Sequence, residues 1–252
     1  MAGGQGAGMI NIRPLSERED LKSAVRLQRQ IWGFEDVDLI PLRLFVVASK
    51  VGGQVYGAFD GAQLIGFCMA IPGLKPGGKT YLHSHMLGVL AEYRNTGVGR
   101  TLKLTQRDDA LARGIDLIEW TFDPLEIKNA FFNMERLGAI VRRYVPNQYG
   151  TTSSPLHGGL PTDRCIAEWW ISSPRVTAIL EGRSFQTNPV EARIAIPADI
   201  AAIRAAQPAR ARDIQQKACE QFRAAFDRSL AVIGFEKSEQ AGTYLIGKWE
   251  SA

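Results

Sequence analysis

The segment Arg94-Asn95-Thr96-Gly97-Val98-Gly99-Arg100 sets two glycines and two arginines between an apolar run, Met86 to Leu90, and a stretch with helical spacing. A strand that ends in glycines and re-enters a helix leaves the first backbone N–H groups of that helix without acceptors, and the helix dipole adds positive potential there. Such a turn can hold a phosphate or pyrophosphate. Gly97 and Gly99 lack Cβ atoms and let the backbone approach an anion closely, while Arg94 and Arg100 add charge. From these residues alone a plainer role stays open, in which the glycines only permit a tight strand-to-helix turn. Two other phosphate motifs do not fit. A P-loop needs Gly-Lys followed by Ser or Thr, whereas Gly99 is followed by Arg100 and Thr101, and a dinucleotide fingerprint needs a third glycine where Leu102 stands.

The elements that must position this turn can be read from the periodicity. Ile10 to Leu15 alternates as a short strand, and Ser16 with Glu19 reads as the capping box of a helix to about Trp32. A second helix is expected from Pro41 to about Val51, stopped by Gly52 and Gly53. Val55 to Phe59 and Leu64 to Ile71 flank Asp60-Gly61, a hairpin signal, and Thr80 to Leu90 is a long apolar strand leading into the turn. After a helix from about Val98 to Arg113, Gly114 provides a stop and Ile115 to Phe122 reads as a buried strand. Asp123, Pro124 and Glu126 read as a cap, first position and capping box for a helix with Ile127, Ala130, Phe131, Met134 and Leu137 on one face, ended by Gly138. Val141 to Val145 and Cys165 to Ile171 are further strands, separated by a loop from Asn147 to Thr162 of the length that is usually functional.

Ser173-Pro174 marks a joint. Beyond it come a short helix, a strand near Ala192 to Ile196, a long amphipathic helix with Ile214, Ala218, Phe222, Ala225, Phe226 and Ile233 as its stripe and Gly234 as its stop, and a strand from Tyr244 to Trp249. The expected domains are a flexible leader over 1–8, with Met9 as an alternative start, a main α/β domain with a mixed sheet over 9–172, and a small αβ C-terminal extension over 173–252.

Composition bounds the function. A balance of 30 Lys and Arg against 26 Asp and Glu suits an anionic small molecule without calling for a polyanion, so no nucleic acid is implied. The cysteines, Cys68, Cys165 and Cys219, are odd in number and lack C-x-x-C spacing, which speaks against a disulfide framework and against a metal site. Cys68 and Cys165 read as packed thiols. No apolar stretch is long enough to span a bilayer and no signal-peptide pattern opens the chain, so a cytoplasmic protein with no membrane partner is expected.

The run Arg94-Asn95-Thr96-Gly97-Val98-Gly99 resembles the acyl-CoA signature Q/R-x-x-G-x-G/A of the GNAT superfamily of N-acyltransferases. "MLGVLAEYRNTGVGRTL" looks like that family's fourth strand, pyrophosphate loop and third helix, and Asp123 to Ala139, ending in "ERLGA", looks like its next strand end and helix. With the βααββ beginning, the resemblance covers roughly residues 10 to 172. It implies a GNAT-like fold and an acyl-CoA cosubstrate, acetyl-CoA by default. It also implies that backbone groups of Leu87 and Val89, where the fourth strand splays from the fifth, hold the pantetheine arm, while those of Asn95, Thr96, Gly97, Val98, Gly99 and Arg100 hold the pyrophosphate. Asn129 is either a further cofactor contact or a solvated, capping amide.

Direct transfer to an amine needs a base for the amine proton, donors for the oxyanion and an acid for the leaving thiolate. The position of the family's fourth-strand base resembles His83; His85 shares its strand face by the period of two, and Glu119 is the unusual charge within an apolar strand. Each of these side chains can equally be a structural hydrogen-bonder. Where many members carry an acidic Tyr, this chain has Met134, which cannot donate a proton; Tyr144 or Tyr149 could substitute, or the thiolate leaves unaided. Of Arg142 and Arg143, one reads as solvated and one as an anion contact, and Arg204, Arg210 and Arg212 read as a solvated face. The expected function is acyl transfer from acetyl-CoA or another acyl-CoA, succinyl-CoA included, to a small amine or amino acid, with the 147–162 loop and the tail closing over the acceptor. Two rivals stand beside it: a non-catalytic acyl-CoA-binding regulatory module, and an interaction scaffold whose tail stripe pairs with a second copy in a homodimer.

Overall fold

The computed structural model describes residues 10–150 and 159–249, and the chain divides into two compact units, Met1–Ile115 and Asp116–Ala252. The expected leader and the middle of the 147–162 loop lie outside the described residues.

In the first unit the order is β1 (Asn11–Pro14), α1 (Arg18–Trp32), α2 (Leu42–Lys50), β2 (Gln54–Asp60), β3 (Gln63–Leu74), β4 (Thr80–Val89) and α3 (Val98–Ala112). The strands form an antiparallel meander, β1-β2-β3-β4. Asp60 pairs with Gln63 across the hairpin, and Gly61 takes the positive φ, +55°, that this tight turn requires. The core gathers Phe45 of α2, Phe67 of β3 and Trp32 of α1, with Phe67 meeting the other two rings edge-on at 5.8 and 5.9 Å. Gly88 lets β4 lie close to α1, since a Cβ there would sit 2.6 Å from the Trp32 ring. The capping box at Ser16 does not form. Leu15 is buried and donates its N–H to Val55 O at 2.9 Å, which holds the chain extended past Ser16, so α1 starts at Arg18 without a side-chain cap. Pro41 precedes α2 as its N-cap instead of occupying its first position.

The second unit runs β5 (Leu117–Phe122), α4 (Ile127–Phe131) continuing into a π turn over Phe132–Arg136, β6 (Ile140–Val145), β7 (Arg164–Trp170), α5 (Pro174–Leu180), β8 (Val190–Pro197), α6 (Ile200–Ala206), α7 (Pro208–Asp227), β9 (Leu230–Lys237) and β10 (Ala241–Lys248). Its strands pair antiparallel in the order β5-β7-β6-β9-β10-β8. Three expectations change here. The long tail helix ends at Asp227, and Ser229 turns the chain at φ +60° into β9, so Ile233 and Gly234 belong to a strand, not to a helix stripe and its stop. The stripe of α7 is covered in cis: Phe222 is fully buried and its ring lies 5.5 Å from Tyr144 and 5.0 Å from Tyr244.

Asp123 is the third. It closes a turn in place of a helix cap, accepting the Leu125 N–H at 2.8 Å, and α4 begins only at Ile127. Its other oxygen takes Arg204 of α6 at 3.0 Å, and Arg204 also reaches Glu126 at 3.1 Å. Arg204 is therefore a buried cation shared by two carboxylates, not a solvated residue. Truncating one member of a buried pair strands the other charge, so Arg204→Leu should lower unfolding free energy by about 3 kcal/mol, with Arg204→Lys intermediate. Urea melts measure this; a loss within error of zero would mean the cluster is solvated in solution.

Candidate functional site

The first unit carries the anion-binding half of the expected site. Along β4, His83, His85 and Leu87 are half-buried while Leu82, Ser84 and Met86 are buried. Met69 pairs with Met86 and Ala70 with Ser84, so His85 is the extra residue of a β-bulge, a device that re-aims side chains. The His83 and His85 rings lie 6.0 Å apart. Burial lowers the His85 pKa, which favours the neutral imidazole that a base requires.

Past β4 a short 3-10 turn, Ala91–Tyr93, leads to Asn95 at φ +65° and Gly97 at φ +96°. Gly97 is the N-cap of α3 and contributes no capping side chain. The first intrahelical bond is Thr101 N–H to Gly97 O at 3.0 Å, so the N–H groups of Val98 and Gly99 have no intrahelical acceptor. A Cβ built on Gly97 would meet nothing within 4 Å, and one on Gly99 would lie 3.7 Å from Leu87 and 3.9 Å from Val89. The open start of α3 thus stands directly over the two strand residues expected to accompany it. Arg94 also braces the loop: its Nε donates to Val89 O at 3.2 Å and its Nη2 reaches Ile31 O at 3.5 Å. Tyr93 donates to Asp60 at 2.8 Å and Thr96 to Tyr93 O at 2.7 Å, which brace it further.

One residue of this half was missed. Lys103 of α3 is buried, and its Nζ donates to Ser84 Oγ at 2.8 Å, between the two histidines of β4; Ser84 in turn donates to Gln106 Oε1 at 3.0 Å. The signal was present, because Lys103 and Gln106 sit on the face that Val98, Leu102 and Ala110 bury.

The second unit carries the remaining candidates. Glu119 on β5 stands opposite Glu168 on β7, both buried, an arrangement that repels unless cations intervene. β6 supplies two. Its register shifts between Val141 and Arg143, and the bulge lets consecutive arginines serve one cluster: Arg143 pairs with Glu119, and Arg142 with Glu168 at 2.5 Å. Both arginines therefore hold carboxylates while their own side chains stay exposed. Tyr144 donates to Asp163 at 2.5 Å, and burial together with that carboxylate drives its pKa far up. Tyr149 is 45% exposed with its hydroxyl 3.0 Å from Thr121 Oγ1. Asn129 is exposed on α4, and Met134 is wholly buried in the π turn. Tyr144 and Tyr149 have separate partners and form no common constellation. Cys68 and Cys165 are buried, and burial pushes the first thiol up to about 12 and the second well above its usual value, so both stay protonated. Among the described residues no cluster of His, Cys, Asp and Glu could hold a metal, and no helix is long and apolar enough to cross a membrane.

Residues 18–138 match the Acetyltransferase (GNAT) family. The match spans just under half of the chain. No curated protein matches the chain in sequence. Among solved structures, Arabidopsis thaliana NAA60 in complex with acetyl-CoA is 16% identical, with 64% of this chain and 99% of that chain covered and a TM-score of 0.52. The ribosomal-protein-S18-alanine N-acetyltransferase from Escherichia coli is 19% identical, covering 66% and 96%, TM-score 0.51. Aminoglycoside 6'-acetyltransferase type Ii is 21% identical, covering 65% and 98%, TM-score 0.51. At such identities the likeness is one of fold, and about a third of this chain lies outside it.

Lys103 makes the stability of the first unit depend on pH. Burial holds its amine at about 7 against an ordinary 10.5, while neighbouring Cys68, up at about 12, stays neutral through that interval. Below the folded value both states carry the proton and the cost of burying the charge is complete. Above it the unfolded chain binds more protons, so folding gains about 1.4 kcal/mol per unit until the unfolded value is reached. The wild-type chain should therefore close its stability gap to Lys103→Met between about pH 7 and about pH 10.5. A constant gap in urea melts across that range would count against a depressed amine.

Proposed function

We propose that this chain transfers an acyl group, acetyl by default, from CoA directly to the amine of a small molecule or amino acid in the cytoplasm, with residues 9–172 carrying the chemistry and 173–252 an extension. The observation that supports this most is the start of α3, capped by Gly97 without a side chain and standing over Leu87 and Val89. Backbone N–H groups from Asn95 to Arg100 would hold the pyrophosphate, with the helix dipole behind them, and the backbone of Leu87 and Val89 the pantetheine arm. Asn129, exposed on α4, is a further cofactor contact in this reading. His85, kept neutral by burial, or His83 beside it takes the amine proton, directly or through water. Glu119 is the weaker candidate, because its carboxylate is already bonded to Arg143. Tyr149 is the preferred acid over Tyr144, whose proton Asp163 holds.

A second reading, a non-catalytic acyl-CoA-binding module, draws support from Met134, which is buried and carries no proton. The solved relatives leave the acceptor class open, since one bears the name of a ribosomal-protein acetyltransferase and another that of an aminoglycoside acetyltransferase.

Calorimetric titration of CoA and acetyl-CoA into wild type and a folded Gly97→Glu, Gly99→Glu variant tests the cradle. Wild type should bind and the variant should not, because two carboxylates then face the phosphates. Thiol release is then followed with amino acids, small amines and N-terminal peptides. His83→Ala or His85→Ala should keep CoA affinity while kcat/KM falls about 10²–10⁴-fold for whichever residue is the base. Absence of CoA binding by wild type would end the acyltransferase reading; binding without turnover on any amine would leave the module.

A further inference from the structure

A cavity of about 190 Å³ lies in the second unit among Arg175 at the start of α5, the segment 185–188, Ile233 of β9 and the end of β10. Both charged side chains that line it, Arg175 and Lys248, are cations. Arg175 is only 3% exposed. Its Nε donates to Gly138 O at 3.0 Å, and it makes no ion pair among the described residues. Glu135, whose charge acts on it from a distance, spends Oε1 on the Phe235 N–H at 2.7 Å. Elsewhere in this unit buried charges meet directly: Arg204 meets Asp123, and Glu119 and Glu168 meet Arg143 and Arg142. A buried guanidinium without a carboxylate is costly unless an anion completes it.

Two further donors converge on the same space. The Nε1–H of Trp249, which lines the cavity, is buried and has no acceptor among the described residues. Lys248, exposed at the rim, also forms no ion pair among the described residues, and its carbonyl is fixed by Asn188 Nδ2 at 2.9 Å. The other walls include Phe185 and Ile233, which are apolar. The volume has room for about six water-sized groups.

We propose that this cavity binds a small organic anion, its carboxylate or phosphate taken by Arg175, Lys248 and the Trp249 indole N–H and its short apolar part lying against Phe185 and Ile233. The site is independent of CoA binding and of the proposed acyl transfer, and it gives the second unit a ligand of its own. Guanidinium, ammonium and indole N–H are all donors that match oxyanion lone pairs, and none can accept a bond from a cationic ligand.

The test follows the Trp249 indole resonance, assigned by its disappearance in Trp249→Phe, during titration of the full chain with butyrate, butyl phosphate and, as the control of opposite sign, butylammonium. Following that one resonance separates this site from anions that collect at the α3 cradle. A saturable shift with butyrate or butyl phosphate, none with butylammonium, and affinity about tenfold weaker in Lys248→Ala are expected, the factor being that of one charge-assisted hydrogen bond. The tighter of the two anions assigns the head group. Lys248 is exposed, so its variant should fold; Arg175→Met, if it folds, should abolish the shift. No saturation by either anion below about 10 mM, an equal response to butylammonium, or undiminished affinity in Lys248→Ala would overturn the proposal.

Discussion

Gly97 is the residue on which the proposed phosphate cradle depends. Its φ of +96° lies in the region that costs other residues about 1–2 kcal/mol, and it is the N-cap of α3. A Ser or Asp there would place an oxygen on the first N–H groups and stabilise the helix by about 1 kcal/mol, but it would fill the donors an anion needs. Leaving the cap bare forgoes that stability. The loop recovers rigidity from contacts that never touch those donors: Arg94 on Val89 O and Ile31 O, Tyr93 on Asp60, and Thr96 on Tyr93 O. Gly99 answers a different demand, since its missing Cβ would meet Leu87 and Val89 only in ordinary contact. The first glycine sets the backbone, and the second keeps the surface of the turn thin.

Charge inside the molecule follows a related rule. Two buried carboxylates directly opposite each other on β5 and β7 are tolerable only because a bulge in β6 turns Arg142 and Arg143 toward the same side. Asp123 and Glu126 are joined to α6 through Arg204, which makes the turn after β5 depend on a helix some eighty positions later in the chain. Lys103 is handled otherwise: with Ser84 as its bonded neighbour and burial favouring the neutral form, its proton is held loosely near neutral pH. Arg175 has no such outlet, because a guanidinium does not give up its proton in a protein.

The sequence made the anion turn legible because each part of it is local: glycines at the junction, a strand before, an apolar period after. The Asp60-Gly61 hairpin and the Gly114 stop are equally local and formed as expected. What failed was set by distant partners. Ser16 and Asp123 both carried capping signals, yet the first was held extended by β2 and the second was drawn into a turn and onto Arg204. Ile233 stands seven residues after Phe226 and so continues a helical stripe by coincidence of phase; the run Leu230 to Ile233, four apolar residues together, was the strand signal beneath it. The buried roles of Lys103 and Arg204, and the pairing of Arg142 with buried Glu168, depend on which face meets the sheet, which charge patterning along the chain does not encode.

The same reasoning orders the candidates for protonating a leaving thiolate. Tyr144 was attractive in sequence because it follows the helix that lacks the expected tyrosine. Its proton, however, is donated to Asp163 in a buried setting, and releasing it would leave a phenolate beside a carboxylate, two like charges with little water to separate them. Tyr149 is 45% exposed, and its hydroxyl lies 3.0 Å from the neutral hydroxyl of Thr121. Met134, closed into the π turn, fills space and leaves the acid to come from elsewhere. In the proposed reaction the pre-set chemistry lies in holding the CoA end and in the histidines of β4, and the acid step falls to a side chain open to water or to water itself.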